Sequence, residues 1–307
     1  MKIFRSVEEV QINSPTAVTV GTFDGVHIGH QHVLQALKNT ARECNCEDVL
    51  ITFDPHPQMV VEPKKGIQIQ LLTTLEEKLN ILAKYDISSI FVIPFTREFS
   101  QMSYKDFIQK ILVERLGVKV MVIGYDHAFG RNREGHYQQL QETAQKWGFQ
   151  VRVVEPFLLD GEPISSTRIR KSLFNGDVER TAELLGRPYM VQGRVVPGSK
   201  RGVNLGFPTA NLEVPDPNKL IPKPGVYAVD VTVRGQFYSG MMNIGHRPTF
   251  NHDPLTLEVH IFKFFSSIYH ETIEVWFKKF IREEIKFRSP EELRQQLLKD
   301  KEICMNL

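Results

Sequence analysis

Ala17-Val18-Thr19-Val20-Gly21-Thr22-Phe23-Asp24-Gly25-Val26-His27-Ile28-Gly29-His30 decides the fold of the first half of this chain. An apolar run ends at Val20, glycines follow, and an amphipathic pattern begins near His30. The stretch therefore reads as a buried strand, a tight turn and a helix start. Glycine lets a backbone approach a ligand closely, and the N–H groups that open a helix favour a phosphate. His27 and His30, spaced as H-x-G-H around Gly29, add donors aimed at the same place. This arrangement suits stabilising charge on a triphosphate during nucleotidyl transfer. Taken alone, the same residues equally fit a plain βα turn with two surface histidines, because short motifs recur by chance.

Outward from this turn, apolar runs alternate with helical patterns. Strands are expected at Ala17–Val20, Asp48–Phe53, Ser89–Ile93, Lys119–Gly124 and Gln150–Val154. Helices are expected at about His30–Arg42, Leu75–Tyr85, Tyr104–Leu116 and Gln138–Trp147. That alternation predicts a parallel, doubly wound sheet whose ligands bind at the carboxyl ends of its strands. Ser165 or Ser166 can cap a helix through Phe174, and Asp177 a second one ending at Gly186. A domain boundary follows near Gly186–Tyr189. Beyond it, Met190–Val196, Gly225–Val233, Gln236–Ile244, Thr256–Phe262 and Thr272–Ile281 predict a small antiparallel barrel. Pro290–Ile303 closes the pattern as a helix capped by Ser289.

A chain of 307 residues can form two domains with real cores. Its 41% hydrophobic and 24% charged residues are ordinary for a soluble globular protein. A formal net charge of +2 gives no electrostatic case for nucleic acid or a membrane surface. No apolar run approaches membrane-span length and no signal-peptide pattern opens the chain, so a cytoplasmic protein is expected. Cys44, Cys46 and Cys304 are too few and too oddly spaced for a disulfide framework or a zinc site.

The turn motif is not isolated. Thr52-Phe53-Asp54-Pro55-His56-Pro57, Ile164-Ser165-Ser166-Thr167-Arg168-Ile169-Arg170 and Leu205-Gly206-Phe207-Pro208-Thr209-Ala210-Asn211 follow it in order. Together they resemble the bifunctional bacterial riboflavin kinase/FAD synthetases, nearly from end to end. The resemblance implies a Rossmann-like nucleotidylyltransferase domain at 1–186, the FMN adenylyltransferase. A small antiparallel riboflavin-kinase β-barrel with a C-terminal helix would follow at 187–307. Riboflavin, FMN and ATP would be the substrates, with Mg²⁺ as cofactor.

In the first half, the resemblance implies transfer of AMP from ATP to FMN without a covalent intermediate. Catalysis then reduces to alignment and charge stabilisation. His27 and His30 would bond phosphate oxygens, beside the close backbone of Gly21, Phe23 and Gly29. Ser165, Ser166 and Thr167 would hold the outer phosphates, with Arg168 as fixed positive charge. Pro55 and Pro57 would shape the flavin-phosphate side of the cleft. Asp126 and Phe129, in Gly124–Gly130, would face the base or the flavin, although His127 and Ala128 depart from the family pattern.

In the second half, Gly198-Ser199-Lys200-Arg201-Gly202 and Leu205–Asn211 resemble the riboflavin kinase nucleotide site. Gly198, Lys200 and Gly206 would wrap phosphates. Thr209 and Asn211 offer hard oxygens on one strand face for one Mg²⁺. Glu258 would be the base for the ribityl hydroxyl, with His260 as packing beside it. Arg282 and Phe287 resemble a segment near the flavin. Lys263 stands where the family carries an acid, and His270 where a glycine is common. Those departures keep two alternatives open: adenylyltransferase activity alone, or a flavin-binding regulator without turnover.

Overall fold

The computed structural model describes the chain except residues 11, 13, 62–68, 126–136, 199–201, 203–204 and 247–254, and the side chains of 137, 138 and 246. It divides into two compact units, Met1–Ser165 and Ser166–Leu307.

The first unit is built on a six-stranded sheet: β1 (Lys2–Phe4), β2 (Thr16–Val20), β3 (Glu47–Asp54), β4 (Ser89–Pro94), β5 (Val118–Gly124) and β6 (Gln150–Val154). The strand order is β1-β4-β3-β2-β5-β6 and every pair is parallel. Parallel strands carry helices on both faces, so their residues are apolar on both. On one face Val18, Val20, Ile51, Phe91 and Met121 pack with Phe107, Ile111 and Leu112. On the other, Ala17, Leu50, Ile90 and Val92 meet Leu34, Leu37 and Leu82. These last come from α1 (Ile28–Cys44) and, past the short α2 (Pro57–Val61), from α3 (Leu75–Ala83).

The order of strands reverses between β2 and β5, and ligands bind doubly wound sheets at such a switch point. The turn after β2 lies there. Five strands are expected from the sequence; the sixth, β1, is three residues long and too short to show a period. The helix expected at Tyr104–Leu116 is also modified. After α4 (Arg97–Ser100), α5 (Tyr104–Phe107) runs into a π-helical turn at Ile108–Val113. The unit ends with α6 (Tyr137–Trp147), β6 and a two-stranded ribbon of β7 (Leu158–Leu159) and β8 (Glu162–Pro163).

The second unit opens with α7 (Ser166–Phe174) and α8 (Val178–Leu185). The sequence reading places a boundary after these helices, at 186, whereas compactness groups them with the barrel. The cause is packing. Lys223 N–H donates to the Leu173 carbonyl at 3.0 Å, and Gly176 lies against Phe280 and Tyr227. Gly186 ends α8 in the left-handed conformation, φ 71°.

The barrel is closed, in the order β10-β13-β12-β11-β14-β9. Its strands are β9 (Tyr189–Val196), β10 (Ala210–Glu213), β11 (Gly225–Val233), β12 (Gln236–His246), β13 (Leu255–Ile261) and β14 (Thr272–Arg282). Five of them are expected from alternation. The four-residue β10 supplies the sixth and bridges β9 to β13. Tyr189, Tyr227, Val259, Val275 and Phe277 fill the interior.

Outside the barrel lies α9 (Pro290–Met305), capped by Ser289, whose hydroxyl accepts from Glu292 N–H at 3.2 Å. Its Asp300 is wholly buried and receives Arg282 Nε at 3.0 Å and Nη2 at 2.7 Å. A forked guanidinium–carboxylate pair both attracts and orients. Removing one partner strands the other charge, at a cost of about 3–5 kcal/mol. Asp300→Ala is therefore expected to destabilise the second unit by about 3 kcal/mol. Adding Arg282→Met should restore part of that loss, as measured by urea denaturation of the single and double variants.

Candidate active sites

The turn after β2 brings Gly21, Phe23, His27, Gly29 and His30 together. Its backbone takes left-handed values at Phe23, Gly25 and Val26 (φ 48°, 84° and 40°). For the β-branched Val26 this is a genuine outlier. His27 is the N-cap of α1: its Nδ1 accepts the His30 N–H at 3.3 Å. A ring that accepts at Nδ1 carries its proton at Nε2, so Nε2–H becomes a donor. The His27 and His30 rings stack with centroids 3.6 Å apart. Gly29 permits this, since a Cβ there would press on His27 at 3.2 Å.

The neighbouring strand ends beside it. Gly21 N–H donates to the Ile51 carbonyl at 3.0 Å, and Thr52 Oγ1 donates to the Thr22 carbonyl at 3.1 Å. Pro55 follows a cis Asp54–Pro55 bond, and Pro57 opens α2. Ser165 is the last residue of the first unit, and Ser166, Thr167 and Arg168 form the first turn of α7 in the second. Asp126 and Phe129 lie outside the described residues.

In the barrel, register assembles a second group. Asn211 on β10 pairs with Glu258 on β13. Directly opposed residues on antiparallel strands point to the same face. Thr209 Oγ1 donates to Glu258 Oε2 at 3.3 Å. Leu257 and Val259 turn into the core, so Glu258 lies on the outer face of the barrel. The same register sets Asn243 of β12 opposite Glu258. The sequence reading did not select Asn243, and only strand pairing reveals it.

Gly198 lies so close to Asn211 that any Cβ would overlap the Asn211 amide. Its absent side chain therefore makes room for Asn211. Gly206 takes φ 83°, a value glycine adopts without strain. Lys200 lies outside the described residues. Lys263 and His270 both adopt left-handed φ, 55° and 68°. Both residues thus hold a backbone that glycine adopts most cheaply, with a side chain added. A cavity of about 150 Å³ opens beside Thr209, lined also by Ala210, Ile261, Phe264 and Ser266–Tyr269. Arg282 is engaged by Asp300, and its guanidinium lies 5.9 Å from the Phe287 ring.

His260, two residues along β13 from Glu258 and on the same face, packs beside the second group. Its ring meets Phe207 and Phe262 edge-on, and its Nδ1 lies 2.7 Å from the Pro208 carbonyl. That carbonyl can only accept, so Nδ1 carries a proton. The bond anchors the residue just before Thr209.

Comparison with known proteins finds two family matches in the chain. Residues 9–168 match the family model described as FAD synthetase, and residues 185–307 the one described as riboflavin kinase. A bifunctional riboflavin kinase/FMN adenylyltransferase of Listeria monocytogenes is 40% identical, over 93% of this chain and 90% of its own. The Haemophilus influenzae protein of the same description is also 40% identical, over 93% and 92%. A solved structure from Streptococcus pneumoniae, described as a macrolide-efflux protein, superposes with a TM-score of 0.90 at 30% identity, covering 99% and 98% of the two chains. Among the described residues of the present chain, no helix is long and apolar enough to cross a membrane.

Burial holds the His260 pKa below its ordinary 6.5, opposed by the bond to Pro208 and reinforced by the positive charge of Lys301. The folded ring therefore binds its proton less readily than the unfolded one. Stability from its neutral state is complete above about pH 6.5 and is lost as pH falls through the depressed folded value. His260→Asn keeps a donor near the Pro208 carbonyl but cannot titrate. Denaturant midpoints measured below pH 6.5 should fall more steeply for the wild type than for this variant.

Proposed function

The chain belongs to the family of bifunctional riboflavin kinase/FMN adenylyltransferases, and we propose that it makes FMN from riboflavin and FAD from FMN. The observation that carries this reading is that one chain holds both constellations. The stacked His27 and His30 stand at the start of α1, and Glu258 contacts Thr209 opposite Asn211. Adenylyl transfer is assigned to residues 1–186 and phosphorylation to residues 187–307, in the cytoplasm.

Phosphorylation needs a base, a phosphate clamp and charge neutralisation. Glu258 takes the proton of the terminal ribityl hydroxyl. The freed oxygen attacks the γ-phosphorus, and ADP leaves with the electrons of the broken P–O bond. Thr209 and Asn211 present a hydroxyl and an amide oxygen, the hard donors that suit Mg²⁺ beside a carboxylate. The space left by Gly198 keeps the Asn211 amide where such a ligand is needed. When bound, the ion supplies charge neutralisation along the ATP phosphates. The cavity beside Thr209 takes the nucleotide, with Gly198, Lys200 and Gly206 around its phosphates. Arg282, fixed by Asp300, borders the flavin.

In adenylyl transfer an FMN phosphate oxygen attacks the α-phosphorus of ATP, and pyrophosphate leaves. His27 Nε2–H and His30 donate to phosphate oxygens, next to the N–H groups that open α1. Ser165, Ser166, Thr167 and Arg168 hold the departing phosphates. Gly21, Phe23 and Gly29 give the nucleotide its close backbone, and Pro55 and Pro57 shape the FMN side. Asp126 and Phe129 are assigned to the base or flavin from the resemblance alone. The presence of Thr209, Asn211 and Glu258 together favours a working kinase over a silent one.

Incubation with riboflavin, ATP and Mg²⁺, followed by chromatography of the flavins, tests the whole reading; absence of both FMN and FAD would refute it. Glu258→Ala should reduce FMN formation at least about 100-fold, as expected for loss of a general base, while leaving FAD formation from added FMN intact. His30→Ala should do the reverse and let FMN accumulate. Gly198→Ala should lower riboflavin phosphorylation at least about tenfold, by displacing a group that aligns the reaction, with a raised Mg²⁺ requirement and normal FAD formation.

A further inference from the structure

Lys78, on α3, is only 6% exposed, and its ammonium lies under the turn after β2. Nζ donates to the Thr22 carbonyl at 2.9 Å and to Thr52 Oγ1 at 3.1 Å. The Thr22 carbonyl thus receives both Lys78 and Thr52, filling its two acceptor positions. Two residues on, the buried Asp24 accepts from the N–H groups of Leu72 and Thr73 at 2.9 and 3.1 Å. Thr73 Oγ1 accepts in turn from Gly25 N–H at 3.1 Å. The segment leading into α3, together with the helix itself, therefore holds the turn at Thr22, Asp24 and Gly25. Between these points sits the left-handed Phe23, and just beyond them the left-handed Val26. Such backbone persists only where the surroundings over-determine it.

The cost of this lysine is informative. Burial lowers its pKa to about 8, against the opposing charges of Asp24 in the turn and Asp54 at the end of β3. A buried charge is weak evidence of stabilisation, since an apolar side chain of similar volume often does as well. What an apolar side chain could not do is bond the Thr22 carbonyl. That carbonyl lies at the entry of the turn that carries His27 and His30.

We propose that Lys78 is a positioning residue for adenylyl transfer, pinning the Thr22 carbonyl so that the turn presents His27, His30 and the α1 N–H groups to the phosphates. The assignment rests on reading the first unit as the adenylyltransferase. Lys78 touches no substrate. It acts through the turn, so its loss should disturb the alignment reached in the transition state more than ground-state binding.

The test uses the full chain, whose second activity reports on concentration and folding. Lys78→Met, Lys78→Arg and the milder Thr52→Val are assayed for FAD formation from FMN and ATP, and for FMN formation from riboflavin. For Lys78→Met, kcat for FAD formation should fall about 10- to 100-fold, as for other alignment losses. Its KM for FMN should stay within about twofold and riboflavin phosphorylation should be unchanged. Lys78→Arg, which keeps a charged donor, should recover part of the loss. If Lys78→Met does not fold, Thr52→Val decides, with an expected fall in the same kcat of about three- to tenfold from one lost bond. FAD formation at the wild-type rate in the folded variants would overturn the assignment, as would equal loss of both activities. A wild-type chain that forms no FAD would instead overturn the reading beneath it.

Discussion

Strand β2 is hydrogen-bonded on both edges and buried at every residue. A strand so enclosed leaves the chain a single polar outlet, its carboxyl end. There the backbone must reverse into α1 within a few residues, under the constraint that β3 and β5 flank it in parallel. The left-handed residues of the turn, the histidine cap and the buried lysine beneath follow from that demand. A helix whose first N–H groups emerge at such a point offers partial positive charge where the sheet directs ligands.

The second unit solves a different problem. A barrel of antiparallel strands turns every second side chain into its core, so the residues between them are the ones left for chemistry. Strand pairing places Asn211, Glu258 and Asn243 in one row across three strands. The row is flanked on the same face by His260 and its bond to Pro208, and α9 is pinned to the barrel through Asp300. In this unit register, rather than a helix terminus, creates the site.

The sequence makes the long, periodic elements plain. Central strands such as Val49–Ile51 and Ile90–Val92 are apolar on both faces, and the barrel strands alternate, so each declares its surroundings. Short elements carry no such period, which hides β1 and β10. The helices α7 and α8 read as an ending because Gly186 and a proline follow them, yet compactness groups them with the barrel. Residue types identify the histidines, Thr209, Asn211 and Glu258 as chemically apt. The contact between Thr209 and Glu258 depends on strands far apart in the chain. Lys78 gives no local signal at all, since its acceptors lie 26 and 56 residues away. Likewise, residue type alone does not reveal that Lys263 and His270 both take left-handed φ.

Barrel closure also has a temporal side. β9 pairs with β14, the first strand of the barrel with the last, and Arg282 waits for Asp300 beyond that. The first unit has all its strands by Pro163, with β2–β3, β3–β4 and β5–β6 each joined by a single crossover, while β1 waits for β4 and β2 for β5. During synthesis the sheet can therefore consolidate while β9 is still an unpaired edge, since domains generally fold as units from the N-terminus. Non-local pairing is slow to form. In the newborn chain, the edge of Tyr189–Val196 that pairs with β14 accordingly stays open until Thr272–Phe277 has been made.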